Sequence, residues 1–488
     1  MRLVIVGGGF SGVSMAVQTA RYSPLPVHIT VVEPAAHLGR GLAYGTDDPD
    51  HRINGAFYSH SVDPLDTGHG DRWAATVNLS ATDPEIKTPT GLFPRRRDFA
   101  RYLQQAFSDC AQENASGSQL THHQARVTNL SHGSAGVELV AVDAAGQSSS
   151  LAADQVVLAT GNPPPKLPAE LAPFVDHPAM IGSPWQGAQL DDIDSNASVT
   201  VMGSSLTSVD ALASLMRRGH QGPITVFSRR GLRPREQRPP ETPPDPLPES
   251  WLVDRINGRL EPWLSAVLRK TPTVRAVLAA LRQRTRDGEK AGEAWQVAFD
   301  ELRDVVWQVW PQLALAEQQR YLRQVRPWYD VHRFRLSPAT EALVAPAIAA
   351  GQIRVVAGRL QHLQEATDSG RPGLNVHLDS ANTADLSHYC DAFINCAGLD
   401  IMGEPAPGSL EATLLGKGIL SRHPTGLGYQ VDEHHRVLNQ QAQADSRLRL
   451  IGPATAGRFG DPVGAMFIAV QINRLLPALF YSAVSGTH

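Results

Sequence analysis

Cysteine is scarce: 488 residues hold three, Cys110, Cys390 and Cys396, and none of them shares a CxxC spacing. That excludes a disulfide framework and a redox-active dithiol, and it fits buried thiols in a reducing compartment. Excess charge of one sign is missing too. With 48 acidic residues against 44 basic, the net charge of -4 points to neither nucleic acid nor an anionic membrane. No run is apolar enough to span a bilayer. Val463 to Val484 comes nearest, but Gln471, Asn473, Arg474 and Pro477 interrupt it, so it reads as a core helix. No basic segment and apolar run stand ahead of the strand at Arg2, so no signal peptide and a cytoplasmic protein are expected. Metal-ligand spacing is absent: His122-His123 and His434-His435 lack a third ligand and are read as solvated, and no metal is expected. No tandem repeat is visible. A chain of 52.7 kDa exceeds one ordinary core, which leaves two or three globular domains.

What is present begins at once. Arg2-Leu-Val-Ile-Val6 is a short β-branched run suited to a buried parallel strand. It enters Gly7-Gly8-Gly9-Phe10-Ser11-Gly12, a GxGxxG pattern, and a helical stretch from Val13 to Arg21 follows. Gly7 permits the tight turn, Gly9 lets the backbone approach a pyrophosphate, and Gly12 lets helix and strand pack closely. The helix N-terminus turns free N–H groups toward the phosphates. A second strand, His28 to Glu33, ends in an acid 21 residues after Gly12, the place for a carboxylate that holds ribose hydroxyls. Strand, glycines, helix, strand and acid in register make a dinucleotide site far better supported than an empty glycine turn.

FAD is the expected occupant, because this unit opens the chain and a second such unit lies downstream. Asp154-Gln-Val-Val-Leu-Ala-Thr-Gly161 looks like the strand-ATG crossover of two-dinucleotide flavoproteins. Leu450 to Pro453, continuing through Arg458-Phe-Gly-Asp-Pro462, looks like their closing flavin-contact segment. Phe10, Ser11, Val127, Thr160, Gly161 and Asp461 are accordingly candidate FAD contacts.

The second unit starts with the strand Ser198 to Met202, turns at Gly203-Ser-Ser-Leu-Thr-Ser208 and continues as a helix from Val209 to Arg218. Ser205 and Ser208 stand where glycines are usual. Serine is small and its hydroxyl can bond a phosphate, so binding is compatible with the change, and a purely structural unit is the alternative. The next strand, Ile224 to Phe227, runs into Ser228-Arg229-Arg230 instead of an acid. Arginines suit a 2′-phosphate through bidentate bonds, so NADPH is expected over NADH.

The proline-crowded stretch from Leu232 to Pro248 reads as an exposed loop. Helical patterns follow over Trp251–Leu268, Pro272–Thr285, Ala294–Trp310 and Ala316–Val325, and strand signals return at Gln352–Val356 and Leu374–Leu378. The expected fold class is α/β, two Rossmann-like domains with a helical insertion. Residues 1–165 and 390–488 make the FAD domain, 196–231 and 345–389 the NAD(P) domain, and 232–344 the insertion, with the return placed at Ala392-Phe-Ile-Asn-Cys-Ala-Gly398. Inside the insertion, Arg326-Pro-Trp-Tyr-Asp-Val-His-Arg-Phe-Arg335 gathers aromatic and cationic side chains. Such a cluster either binds an anionic or planar substrate or ties the insertion to its neighbours by packing and ion pairs.

Together with Gly39-Arg-Gly-Leu-Ala-Tyr-Gly-Thr46, His51-Arg-Ile-Asn-Gly55, Phe93 to Tyr102, Ala159 to Pro163 and Ser228 to Leu232, these motifs resemble a bacterial FAD/NAD(P)-binding family. That family is related to flavin-dependent N-hydroxylases and Baeyer–Villiger monooxygenases, and it is similar to a bacterial FAD-dependent urate hydroxylase. The resemblance spans nearly the whole chain. It implies that Arg40, Tyr44 and Asn54 sit on loops near the flavin ring, and Ser205 and Ser208 depart from its pattern. The implied function is an NAD(P)H-driven monooxygenase acting with O₂ on a small amine or nitrogen-rich heterocycle by way of a C4a-peroxyflavin. Arg333 and Arg335 are candidates to hold the substrate, and His332 to move a proton. A flavin reductase that never inserts oxygen and a flavin-binding redox sensor are the alternatives.

Overall fold

The computed structural model describes residues 1–133, 136–163, 165, 167–185, 188–237, 258–368, 370–379, 386–460 and 463–485. Both fingerprint strands form, Arg2–Val6 and Val199–Met202, and each lies inside a parallel sheet. Neighbours on both sides explain why the two sequences run apolar without alternation.

The first sheet has six strands in the order Arg436–Leu438, Ala444–Leu450, Gln155–Leu158, Arg2–Val6, His28–Val32 and Gln119–His123. All pairs are parallel except the one between Arg436–Leu438 and Ala444–Leu450. The second sheet has five parallel strands: Met180–Ile181, Ala392–Asn395, Val199–Met202, Ile224–Ser228 and Ile353–Ala357. Each sheet carries an antiparallel three-stranded meander in the same place along its chain. Residues 126–153 lie between the strands Gln119–His123 and Gln155–Leu158 of the first sheet, and residues 359–390 lie between Ile353–Ala357 and Ala392–Asn395 of the second.

This duplication corrects the expected domain boundary. Ala392–Asn395 pairs in parallel with Val199–Met202, so it completes the second sheet, and the chain returns to the first domain only after it. The segment that looked like a return is the second domain's counterpart of the strand-ATG crossover. Met180–Ile181 also belongs to the second sheet, ahead of the expected start at 196; two residues are too short to show a period.

The insertion is helical as expected: Pro262–Leu268, Val274–Lys290, Gln296–Asp304, Val306–Val309, Leu315–Arg320 and Arg326–Arg333. Residues 251–257 of the first expected helix, and 238–248 of the proline-rich loop, lie outside the described residues. Thr273 caps one helix by accepting from the Ala276 N–H, and Ser337 caps the helix Pro338–Ala349, which has proline in its first turn. That last helix packs Val344 and Ala347 into the second domain's core, so the expected limit of the insertion at 344 cuts through it. The closing helix Ala465–Ser485 lies against the first fingerprint helix, Phe10–Tyr22, with Ile468, Ala469, Ile472 and Leu476 in a shared core. No described helix is long and apolar enough to cross a membrane.

Candidate functional site

Gly7 adopts φ +107°, which an L side chain rarely takes, and its N–H donates to the Val32 carbonyl at 2.9 Å. A Cβ there would stand 2.5 Å from the Ala159 carbonyl oxygen, and one on Gly12 would stand 1.8 Å from that of Gly7. The protein's own backbone thus forbids side chains at both positions. Gly9 differs. It is extended, at φ -71° and ψ -164°, and a Cβ would meet nothing nearer than Gly41 Cα at 3.6 Å. Glycine at this position is not a demand of the folded chain, and the space it keeps open lies at the N-terminus of a 13-residue helix with no side-chain cap. A cradle that a Cβ would fill, facing uncapped amides, is what a pyrophosphate requires. The residues fit the group.

Around the cradle, Glu33 accepts from the Gly8 N–H at 2.8 Å and the Ala35 N–H at 3.1 Å, which fixes its carboxylate against the turn. The loop Gly39–Gly45 is tied down by Gly39 N–H to the Gly8 carbonyl at 2.7 Å. Arg40 spans its own loop to the Gly45 carbonyl and Asp47. Tyr44 packs on Phe99 with ring centroids 4.6 Å apart, and burial pushes its phenol up to about 12. The Asn54 carbonyl accepts from Gln237, linking this region to the start of the insertion. Val127 is buried in the first meander, against the sheet's other face. Gly161 has φ +73° with open space at its Cβ position, and Thr160 beside it is half-buried. Gly452 sits over Ser11, and Gln471 clamps it by accepting from its N–H and donating to Thr455. The closing segment therefore reaches the cradle. Asp461 lies outside the described residues.

The second cradle repeats the first in detail. Gly203 has φ +106°, donates to the Phe227 carbonyl at 2.8 Å, and has the Cys396 carbonyl 2.1 Å from where a Cβ would be. Ser205 takes the place of Gly9 with φ -96° and ψ -165°, and Ser208 turns its hydroxyl to the Ser205 carbonyl at 2.8 Å. Where the first domain has Glu33 on Gly8, the second has Ser228 accepting from Ser204 at 2.7 Å. Arg229 is exposed and Arg230 half-buried in the turn that follows, and neither forms an ion pair among the described residues.

The insertion brings part of its cluster to the first domain. The Arg333 guanidinium lies 5.2 Å from the Phe467 ring centroid and beside Gly464, where the closing helix starts. It also faces His60, whose imidazole is pushed down to about 4, chiefly by burial. The other two candidates are placed differently, and this corrects the expectation for them. Arg335 is 6% exposed and paired with Asp300, which also pairs with Arg303. His332 stacks on Phe299 at 4.8 Å, meets Trp295 edge-on, and bonds the Trp328 carbonyl. Both contribute to the packing of the insertion, Arg335 through its ion pair with Asp300 and His332 through its ring contacts with Phe299 and Trp295.

Sequence reasoning missed two things. One is an ionic seam between the domains. Arg96 pairs with Asp210 at 2.6 Å, Asp48 accepts from Ser214 at 2.8 Å and Arg218 at 3.0 Å, and His51 sits between Thr46 and Ser214. Only the family motif around His51 hinted at it. The other is His435, read as solvated: it is 4% exposed, stacked on Phe459 at 4.4 Å, and burial pushes its imidazole down to about 3. His434 beside it is exposed as expected.

Two dinucleotide folds sharing one glycine geometry define a two-domain FAD/NAD(P)-binding oxidoreductase. Comparison with known families agrees. Residues 4–163 match the FAD-NAD(P)-binding family, and residues 88–239 match the L-lysine 6-monooxygenase/L-ornithine 5-monooxygenase family. The chain is thus an FAD- and NAD(P)H-dependent oxidoreductase of the monooxygenase kind. A comparison with curated protein sequences gives no match. Among solved structures, the cadaverine monooxygenase of Erwinia amylovora is similar over 98% of this chain and 94% of its own, at TM-score 0.64 and 11% identity. The Kutzneria ornithine N-hydroxylase covers 98% of each chain at TM-score 0.62 and 14% identity. The ornithine hydroxylase of Pseudomonas aeruginosa covers 99% of each at TM-score 0.61 and 12% identity. At such identities the likeness establishes the fold.

Proposed function

We propose that the protein hydroxylates the nitrogen of a small aliphatic amine, using FAD, NADPH and O₂. The observation that supports it best is the lysine/ornithine monooxygenase match over residues 88–239, which runs from the first domain into the second cradle. Bound FAD would supply the redox chemistry, accepting hydride and activating O₂. The chain's residues do the rest. Amides at the N-terminus of Phe10–Tyr22 hold a pyrophosphate in the space beside Gly9, and Glu33 takes the ribose hydroxyls. Arg229 and Arg230 hold the 2′-phosphate through charge-assisted bonds. Arg333, next to Gly464 and Phe467, closes the insertion over the first domain and excludes water there. Arg40, Tyr44 and Asn54 form the loop wall on the same side.

The test is coupled turnover. With FAD-loaded protein, ornithine, lysine, cadaverine and putrescine are screened for NADPH oxidation, O₂ uptake and hydroxylamine formation in equal amounts. Stimulated NADPH oxidation with no hydroxylamine for any amine would reject the amine substrate. Oxidation indifferent to every added compound would favour a reductase.

A further inference from the structure

Between the insertion and the closing helix lies a cavity of ≈ 90 Å³, outside both fingerprints. Its wall is largely apolar and aromatic: Trp307 from the insertion, Phe459, and Met466, Phe467 and Val470 from the closing helix. At about 30 Å³ per water molecule, the space is that of roughly three waters, enough for one small ring molecule. His435 is in the wall, and three observations single it out. Its side chain is 4% exposed, and its Nδ1 has no hydrogen-bond partner among the described residues. Its backbone is left-handed, at φ +61°. Residues held in such strained conformations cluster at ligand sites. The Trp307 indole N–H, in the same wall, is also buried with no partner among the described residues.

Buried polar atoms are nearly always hydrogen-bonded, so two unpartnered ones in the wall of one small cavity ask for an occupant. The charged side chains of the wall are engaged by protein neighbours: Arg303 pairs with Asp300 and Asp304, Arg474 lies over the Trp307 ring at 3.5 Å, and Glu433 faces His434. An indole N–H only donates, whereas a neutral imidazole has one donor and one acceptor nitrogen. We propose that this cavity binds a compact, neutral, mostly apolar molecule carrying both a hydrogen-bond donor and an acceptor, such as a five-membered azole. The site does not depend on the amine-hydroxylase reading.

The probes are pyrazole, which has an N–H donor and a nitrogen acceptor, and isoxazole, which has the same shape without the donor. Titration calorimetry on the FAD-loaded full chain should show pyrazole binding roughly tenfold more tightly, the worth of one hydrogen bond. His435→Asn, whose side chain tolerates positive φ, should erase that preference, and Val470→Phe, which fills the space, should abolish binding of both. Equal binding of the two probes by the native chain would overturn the proposal even if neither variant folds, and so would native-like binding by Val470→Phe. NADPH oxidation in the same samples separates two sources of such a ligand. Stimulation that Val470→Phe removes marks a substrate, and binding without stimulation marks an effector; either result keeps the site.

Discussion

The two dinucleotide domains share their turn to within a degree at the first glycine, φ +107° against +106°, yet they differ at the two later positions. In the first domain Gly12 is pressed against the Gly7 carbonyl, and any Cβ would collide with it. In the second, Ser208 fits the equivalent place and uses its hydroxyl within the helix. The first domain holds the start of its helix tightly against the turn, with no room for a side chain at Gly12. The second is as crowded at its first glycine, where a Cβ would stand 2.1 Å from the Cys396 carbonyl oxygen, but it admits a serine at the third position.

The strongest break in the symmetry is expected inside the first cradle. Gly12→Ala places a Cβ 1.8 Å from backbone, so it should leave little folded protein, whereas Gly9→Val should fold and melt near the native temperature but stay colourless with added FAD. Thermal melts and FAD titration of the pair check this, and yellow Gly9→Val protein would end the cradle assignment. Next is the seam that the two domains share. Arg96→Met leaves Asp210 buried without its cation, and a loss of about 3–5 kcal/mol is expected in denaturant unfolding. Smaller again is the effect of Arg229→Ala with Arg230→Ala. Each charge-assisted bond is worth roughly 1.5–3 kcal/mol, so the KM for NADPH should rise about 10- to 100-fold while that for NADH barely moves. Equal losses for both would show that these arginines do not read the phosphate. Smallest is Ser208→Gly, which restores the glycine. It should cost about 0.5–1 kcal/mol of helix stability and leave the KM for NADPH unchanged. Tighter NADPH binding would mean that the serine is a defect of the site.

Both cradles were legible in the sequence because everything that makes them is local: an apolar strand, a glycine at the turn and a helix within some twenty residues. The second sheet's closing strand, Ala392–Asn395, was legible as a strand but not as to its sheet. Its run of apolar residues suits the centre of either one, and only pairing with Val199–Met202 decides. Arg333 reaches the first domain, while Arg335, two residues on, faces the insertion's interior and meets Asp300. Where the helix Arg326–Arg333 stops sets that division, and sequence reading does not fix helix ends to a residue. His435 escaped notice because the segments that bury it, around Trp307, Phe459 and Val470, are far away along the chain.

The seam of Arg96, Asp210, Asp48, Ser214 and Arg218, which Arg217 extends to Glu85 at 2.6 Å, has a mechanical meaning. A hinge that opened here would strip paired charges of their partners and expose His51 and Asp48, now wholly buried, to water. The cost of such opening is largest at Arg96–Asp210 and Arg218–Asp48, whose carboxylates are buried, so these are the contacts that resist separation of the two domains. With the seam closed, a nicotinamide held by the second cradle would have to approach the first across walls that these pairs keep in place.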